Sequence, residues 1–255
     1  MNILKVLISF QTGRRIKDGF TIGYNIIFPI VLISILGVLT RNQFGDVITS
    51  YQYYTVVVIP FCACMALITA AYAGKEEAYA KTAVRIILAP ISEQQIVLSK
   101  IFSCAIVFSI CNCFTFVLCG FICKLPKGTE WILICILLVA MSFCVAAIGV
   151  LLGTGMKNFL FIKNLINLPL GLCAVAAGVF FPLGTSNPVV QGVLNLSPLT
   201  HVNRYLFAML FDHMKSGVCF LILFHAVIGV FVSILAIRTF KKEEFLHGDI
   251  PGYKE

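Results

Sequence analysis

Acidic residues are scarce in this chain, and their positions are as informative as their number. Only 11 of the 255 residues are Asp or Glu, and none of them lies inside any of six long apolar runs. His225 is the only Asp, Glu, Lys, Arg or His residue within those runs. Proton-coupled transporters rely on buried ionisable groups. The sequence therefore predicts that any uphill movement of a solute draws its energy from another molecule.

Several motifs that carry chemistry are also missing. The chain has no GxxxxGK[ST] phosphate loop and no HExxH zinc motif. It has 11 cysteines but no CxxC pair, and ten of the cysteines fall inside the apolar runs, where free Cys behaves as a small hydrophobe. We therefore expect no metal site and no cofactor in this chain, and no intramembrane enzyme activity.

Apolar residues dominate what is present. The chain is 60% hydrophobic and 12% charged, whereas a soluble domain is about 45–50% apolar and about 25% charged. A membrane-spanning helix needs roughly 20 apolar residues. The six runs lie at 20–39, 53–72, 101–122, 132–152, 165–181 and 218–237. They predict an all-α membrane protein in which residues 1–255 form one transmembrane domain of six helices.

The net charge of +8 is distributed unevenly along the chain. If the N-terminus is cytoplasmic, 14 of the 19 Lys and Arg residues lie on the cytoplasmic side and five lie outside. The outer five are Arg41, Lys124, Lys127, Arg204 and Lys215. Cytoplasmic loops of membrane proteins carry such an excess of Lys and Arg. The distribution predicts that both termini are cytoplasmic, and it explains the basic charge by membrane lipid rather than by nucleic acid.

Two segments outside the spans have helical patterns. Residues 1–19 are amphipathic and basic, which predicts an interfacial helix lying in the headgroup plane. The outer connection at 182–217 is too apolar for a free loop, and Ser197 followed by Pro198 is a helix-start signal. We expect an outer helix near 199–214 and a cytoplasmic tail at 238–255.

The inner segment at 73–100 is the most polar connection between spans. Residues 76–88 can form a helix, and Pro90 ends it because proline restricts the residue before it. Ser92 followed by Gln95 is a capping box that begins the next helix. The pattern predicts a helix, a proline-containing turn and a new helix that enters the membrane.

This inner segment resembles the permeases of type-2 ABC exporters. In that family an acidic, glycine-bearing stretch follows the second span, and Gly74, Glu76 and Glu77 stand in its place here. The run at 85–100 then has Pro90, Ile91 and Ser92, which resemble the Pro-Ile-Ser part of the family's Leu-x-x-Pro-Ile-Ser turn, and a lysine that opens the third span. The segment at 196–200 before the last span is similar to a second family motif, and the layout agrees over the full length.

The resemblance implies a mechanism and partners. The chain would pair with a second permease copy or a homologous permease and with two cytoplasmic ATPase subunits, which would hold the ATP and Mg²⁺. The helix at 76–88 would be the coupling helix that the ATPases push. The contact residues would be Glu76, Glu77, Lys81 and Arg85, with Pro90 and Ser92 fixing the geometry.

These residues leave several classes of substrate open. Spans without a charged site favour a hydrophobic or amphipathic substrate such as a drug, an antimicrobial peptide or a lipid-like molecule, moved outward across a bacterial plasma membrane. The alternative is a channel that is not coupled to ATP, or a membrane scaffold such as an immunity or sensor protein that binds a toxin. Co-purification with an ATPase subunit separates the two.

Overall fold

The computed structural model of the chain describes residues 3–45, 47–156, 159–182, 187–214 and 217–246. Helices make up most of these ranges, and no strand occurs within them. The helices are α1 (Ile3–Ile16), α2 (Gly19–Ile22), α3 (Phe28–Leu39), α4 (Ser50–Tyr79), α5 (Ala83–Leu88), α6 (Glu93–Ile122), α7 (Glu130–Gly155), α8 (Phe159–Ala176), α9 (Pro188–Leu194), α10 (Pro198–Phe211), α11 (Val218–Arg238) and α12 (Lys242–Leu246). The all-α membrane fold is confirmed.

Five of the predicted spans correspond to helices that are long and apolar enough to cross a membrane. They are Gly19–Leu39, which contains α2, a π-helical turn and α3, together with α4, α6, α7 and α11. The span predicted at 165–181 is shorter than expected, because α8 ends at Ala176 and its apolar part is Asn164–Ala176.

The early end of α8 has a local cause. Gly178 has a positive φ of 70°, a conformation that glycine adopts without steric cost. The Val179 N–H donates to the Ala174 carbonyl at 3.0 Å, and the Gly178 N–H donates to the Val175 carbonyl at 3.0 Å. These two bonds form a Schellman motif, which terminates a helix by satisfying its last carbonyl groups.

The most buried of the long helices is α4, which packs against α7, α6 and α3. Its contact with α7 is close because small residues meet there. A Cβ added at Gly149 would collide with Ala70, and one added at Gly153 would collide with the Ala71 carbonyl and with Gly74. Small residues let helix backbones approach in this way within membranes. The GxxxG spacing on α7 therefore serves packing within the chain.

Polar groups inside the bundle join neighbouring helices. Pro29 has no N–H and cannot bond the Asn25 carbonyl one turn earlier, so that carbonyl accepts instead from the Thr115 hydroxyl on α6 at 3.1 Å. The backbone at Gly23–Ile27 forms a π-helical turn at this point. Asn112 on α6 donates to Ser142 on α7 at 3.1 Å. These bonds stabilise helix contacts that apolar packing alone would leave unspecific.

Two of the predicted helices outside the spans are also present. The N-terminal helix is α1, and the outer helix expected near 199–214 is α10, which begins at Pro198 directly after Ser197. A short helix that was not expected, α9, precedes α10. The apolar side of α10 packs on α4, so the outer connection covers the end of the bundle.

The contact between α4 and α7 gives a stability test. We expect Gly153→Ala to lower the free energy of unfolding by about 1–3 kcal/mol, because the new methyl group meets backbone atoms that cannot rotate away. Gly171→Ala on α8 is the control, since nothing lies within 4 Å of its added Cβ. That variant should be neutral or gain up to about 1 kcal/mol. Thermal unfolding in detergent measures both, and equal effects would contradict the assigned close contact.

Candidate functional site

The second span continues well past its predicted end. Residues 76–79 form the last turn of α4, and the separate helix α5 covers only Ala83–Leu88. The start predicted at 76 is therefore wrong, whereas the predicted end before Pro90 is confirmed. Ala, Lys and Glu dominate the segment after Tyr72, and all three favour helices. The helix ends where Lys81 takes a positive φ of 54°. The Thr82 N–H then bonds the Glu77 carbonyl at 2.9 Å in a Schellman motif.

The extension of α4 carries Glu77 into the bundle. Its side chain is fully buried and forms an ion pair with the Lys100 ammonium on α6, which is 2% exposed. The Lys100 ammonium also donates to the Ala73 carbonyl at 2.7 Å. A charge this deeply buried needs both an opposite charge and further hydrogen bonds to offset its lost hydration. The pair therefore fixes α4 against α6 at the end of the bundle that the charge distribution predicts to be cytoplasmic.

The N-terminal helix supplies the remaining partners. The Gln11 side-chain amide donates to Glu77 Oε1 at 3.0 Å. Arg14 Nε lies 2.7 Å from Glu76 Oε1, and Arg15 pairs with Glu76 Oε2. The arginines of α1 thus turn toward the acidic end of α4, although the sequence indicated only a basic face for membrane headgroups. This ionic cluster comprises Gln11, Arg14, Arg15, Glu76, Glu77 and Lys100.

The ionic cluster gives α1 two different sides. Gln11 and Arg15 are buried against the bundle, whereas Ile3, Val6 and Phe10 are exposed on the other side of the helix. An amphipathic helix at a membrane surface turns such an apolar side toward the lipid. Polar attachment to the bundle and apolar attachment to lipid therefore coexist on one helix.

Residues 80–92 form an exposed elbow between α4 and α6. Its short helix α5 is attached to the bundle through Ala83, which is 2% exposed, whereas Val84 and Leu88 are 55% and 80% exposed. The elbow ends at Ser92, whose hydroxyl accepts from the Gln95 N–H at 3.3 Å while Gln95 Oε1 accepts from the Ser92 N–H at 3.1 Å. The predicted capping box is confirmed.

The six predicted contact residues therefore separate into two groups. Glu76 and Glu77 turn inward to the ionic cluster, where Glu77 has no exposed surface. The other four lie at exposed positions of the elbow, and they are Lys81, Arg85, Pro90 and Ser92. Contact between these four and an ATPase stays a prediction.

Sequence reasoning did not assign Gln11, Arg14, Arg15 or Lys100 to a site. A signal for the inner partner of Lys100 is present in the chain. Ala70, Ala73, Gly74 and Glu77 follow the i, i+3, i+4, i+7 spacing of one helix face, and no proline interrupts it. That face is buried in α4, so extending it by one turn would have placed Glu77 inside.

The arrangement offers mechanical contact between helices. Within the described ranges, no group of three or more His, Cys, Asp or Glu side chains is placed to hold a metal ion. The ionic cluster contains carboxylates that are all engaged by cations or amides. What the geometry provides is a rigid junction of three helices beside an exposed elbow.

Comparison with known families agrees with this architecture. The family described as ABC-2 family transporter protein matches residues 40–238 of the chain. The match includes α4, the elbow and α6, and it begins after α1. No curated protein matches the chain.

Removal of one member of the buried ion pair should be costly. We expect Glu77→Leu and Lys100→Met each to lower the free energy of unfolding by about 3–5 kcal/mol, because each deprives a buried charge of its principal partner. The double variant should lose much less than the sum, since both charges are then gone. A double-mutant cycle of unfolding in detergent measures the coupling.

The exposed ion pair between Lys242 and Glu93, 3.2 Å apart, provides the control for this cycle. Lys242→Met should change the free energy of unfolding by less than about 1 kcal/mol, because both partners are hydrated. Additive losses at Glu77 and Lys100 would show that the two charges do not stabilise each other.

Proposed function

The chain belongs to the ABC-2 family of transporter proteins, and we propose that it is the permease subunit of an ATP-driven exporter whose ATPase is a separate cytoplasmic chain. The coarse function, the membrane domain of an ABC transporter, follows from the family match over residues 40–238. The observation that carries the finer proposal is the exposed elbow, which is attached to two long helices on the side that the charge distribution places in the cytoplasm.

The surface of the elbow supports contact with another protein. Val84 and Leu88 are apolar and exposed on α5, and Arg85 is exposed beside them. The centres of protein interfaces combine apolar side chains with arginine. The elbow that carries α5 is bounded by the turn at Lys81, which ends α4, and by the capping box at Ser92, which begins α6. Both ends of the elbow are therefore fixed to long helices.

The helices attached to the elbow supply a path for the movement. A displacement of α5 acts directly on the end of α4 and on the start of α6, because the elbow is the short connection between them. The Glu77–Lys100 pair holds these two helix ends together, and the ionic cluster adds α1. Nucleotide binding to the ATPases would then favour one of two packings of the whole junction, in the sense of a population shift.

We further propose that the subunit pairs with a second permease, either an identical copy or a homologue, in a bacterial plasma membrane. The substrate class that fits is a hydrophobic or amphipathic molecule exported outward. Support comes from the spans, whose central parts carry no Asp or Glu. An ion-driven pump would need such groups within the bilayer.

Charge reversal on the elbow tests ATPase coupling. We expect Lys81→Glu combined with Arg85→Glu to reduce ATP-dependent transport by about tenfold or more. The new carboxylates would repel the groups of the ATPase that the original cations attract, which weakens association. Both residues are exposed, so the variant should still fold and insert. The measurement is co-purification of the ATPase together with transport in proteoliposomes.

The control is Lys17→Glu combined with Lys241→Glu, which reverses two exposed charges on the same predicted side. This variant should bind the ATPase and transport as the unmodified chain does. Undiminished transport in the Lys81 and Arg85 variant would remove the docking assignment. Purification of the native complex without any ATPase subunit would favour the channel or scaffold alternative.

A further inference from the structure

A polar cavity lies at the end of the bundle opposite the ionic cluster, on the side that the charge distribution places outside. Its volume is about 480 Å³. It lies between the start of α4, the end of α8, α9 and α10. The Schellman turn at Gly178 forms one wall, and the Tyr53 hydroxyl fixes that wall by donating to the Gly178 carbonyl at 2.8 Å.

The described residues that line the cavity include a positive charge and no carboxylate. Arg204 on α10 is the single charged side chain among the lining residues within the described ranges. One guanidinium nitrogen, Nη2, donates to Asn195 Oδ1 at 3.3 Å. A guanidinium has five N–H donors in a rigid fork, so the contact with Asn195 orients it and leaves further donors for a ligand.

Further polar groups lie beside this guanidinium. Thr200 lies one helical turn before Arg204 on α10 and also lines the cavity. Its hydroxyl oxygen is buried and has no hydrogen-bond partner within the described part of the chain. A buried polar atom without a partner is costly unless something else satisfies it. Asn195 is itself fixed, because its backbone carbonyl lies 2.8 Å from His201 Nε2.

The surroundings of the cavity suit an amphiphile. Ala176, Ala177 and Leu194 give it apolar walls. Val189 and Val193 on the neighbouring helix α9 are exposed apolar side chains. An anionic group could therefore contact Arg204 while a hydrocarbon chain follows the exposed side of α9.

We propose that this cavity is a binding site for a phosphate-bearing anion, with Arg204 as the principal contact, Thr200 as an additional donor and Asn195 as the residue that positions the guanidinium. Arginine forms bidentate hydrogen bonds with phosphate oxygens, which a point charge cannot reproduce. The phosphate can belong to an anionic lipid headgroup of the outer leaflet or to a soluble anion. This site goes beyond the proposed export function, since it requires neither ATP nor a direction of transport.

The lipid arm of the test uses the full chain in nanodiscs made from phosphatidylcholine with added phosphatidylglycerol. Native mass spectrometry then measures which lipid stays bound. We expect phosphatidylglycerol to be retained preferentially, because no headgroup amine neutralises its phosphate. Arg204→Gln should weaken that retention about tenfold or more, since a charge-assisted hydrogen bond is lost. Arg204→Lys should weaken retention by an intermediate amount, because it keeps the charge but loses the guanidinium fork. This variant replaces Arg204→Gln in the test if Arg204→Gln does not fold.

The soluble-anion arm adds inorganic phosphate to the protein in phosphatidylcholine alone and measures thermal stability. The matched control for both arms is Lys127→Gln, which removes one exposed outer charge that does not line the cavity. Phosphate protection that depends on Arg204, without any lipid preference, would assign the site to a soluble anion. Preferential lipid retention that depends on Arg204 would assign it to a headgroup.

Two outcomes would overturn the proposal. In one, Arg204→Gln and Lys127→Gln weaken lipid retention equally, which would show that retention depends on general surface charge and not on the cavity. In the other, Arg204→Gln retains phosphatidylglycerol as the unmodified chain does, and phosphate stabilises neither protein. Neither result would bear on ATPase coupling, because both arms measure binding without nucleotide.

Discussion

The buried ion pair between Glu77 and Lys100 is the interaction on which the half of the bundle beside the elbow depends. It joins two helices that the chain connects only through an exposed elbow, and Gln11 adds the N-terminal helix to the same carboxylate. Buried charges impose geometry because a displaced partner leaves an unsolvated charge. The pair therefore makes the ends of α1, α4 and α6 one mechanical unit, to which the elbow is attached.

The two ends of α4 are stabilised by different chemistry. At its inner end, ionic contacts dominate. At its outer end, the hydroxyls of Tyr53 and Tyr54 donate to the carbonyls of Gly178 and Phe180 at 2.8 and 3.0 Å. Between them, the close contact of α4 with α7 leaves no space for side chains larger than those present. A movement begun at the inner end would thus reach the outer cavity through a helix that is held along its length.

Five of the six predicted spans, with their approximate positions, followed from composition, because a run of roughly 20 consecutive apolar residues favours a membrane-spanning helix. Capping at Ser92 and the start of α10 at Pro198 were also predictable, since both depend on neighbouring residues alone. The early end of α8 was missed because a Schellman turn at Gly178 stops an apolar run that hydropathy would continue.

The ionic cluster was not predicted as a whole, for a physical reason. The burial of Glu77 follows from one more turn of α4 and is visible in the periodicity, but its partners are remote in sequence. Lys100 lies 23 residues away and Gln11 lies 66 residues away. Only the packing of three helices brings these groups together, and one sequence carries no local signal of that packing. Lys and Arg near span ends also serve as topological charges, so composition gave each of them an adequate explanation.

Hydrogen–deuterium exchange along the chain in nanodiscs tests the central claim most directly. The unmodified protein should show slow exchange in α1, because α1 is attached to the bundle through the ionic cluster. With Glu76 and Glu77 both replaced by Gln, we expect exchange to increase in α1 and in the elbow together, while α7 and α11 stay protected. Unchanged protection of α1 would contradict the account, because it would show that the N-terminal helix is held by something other than the buried charges.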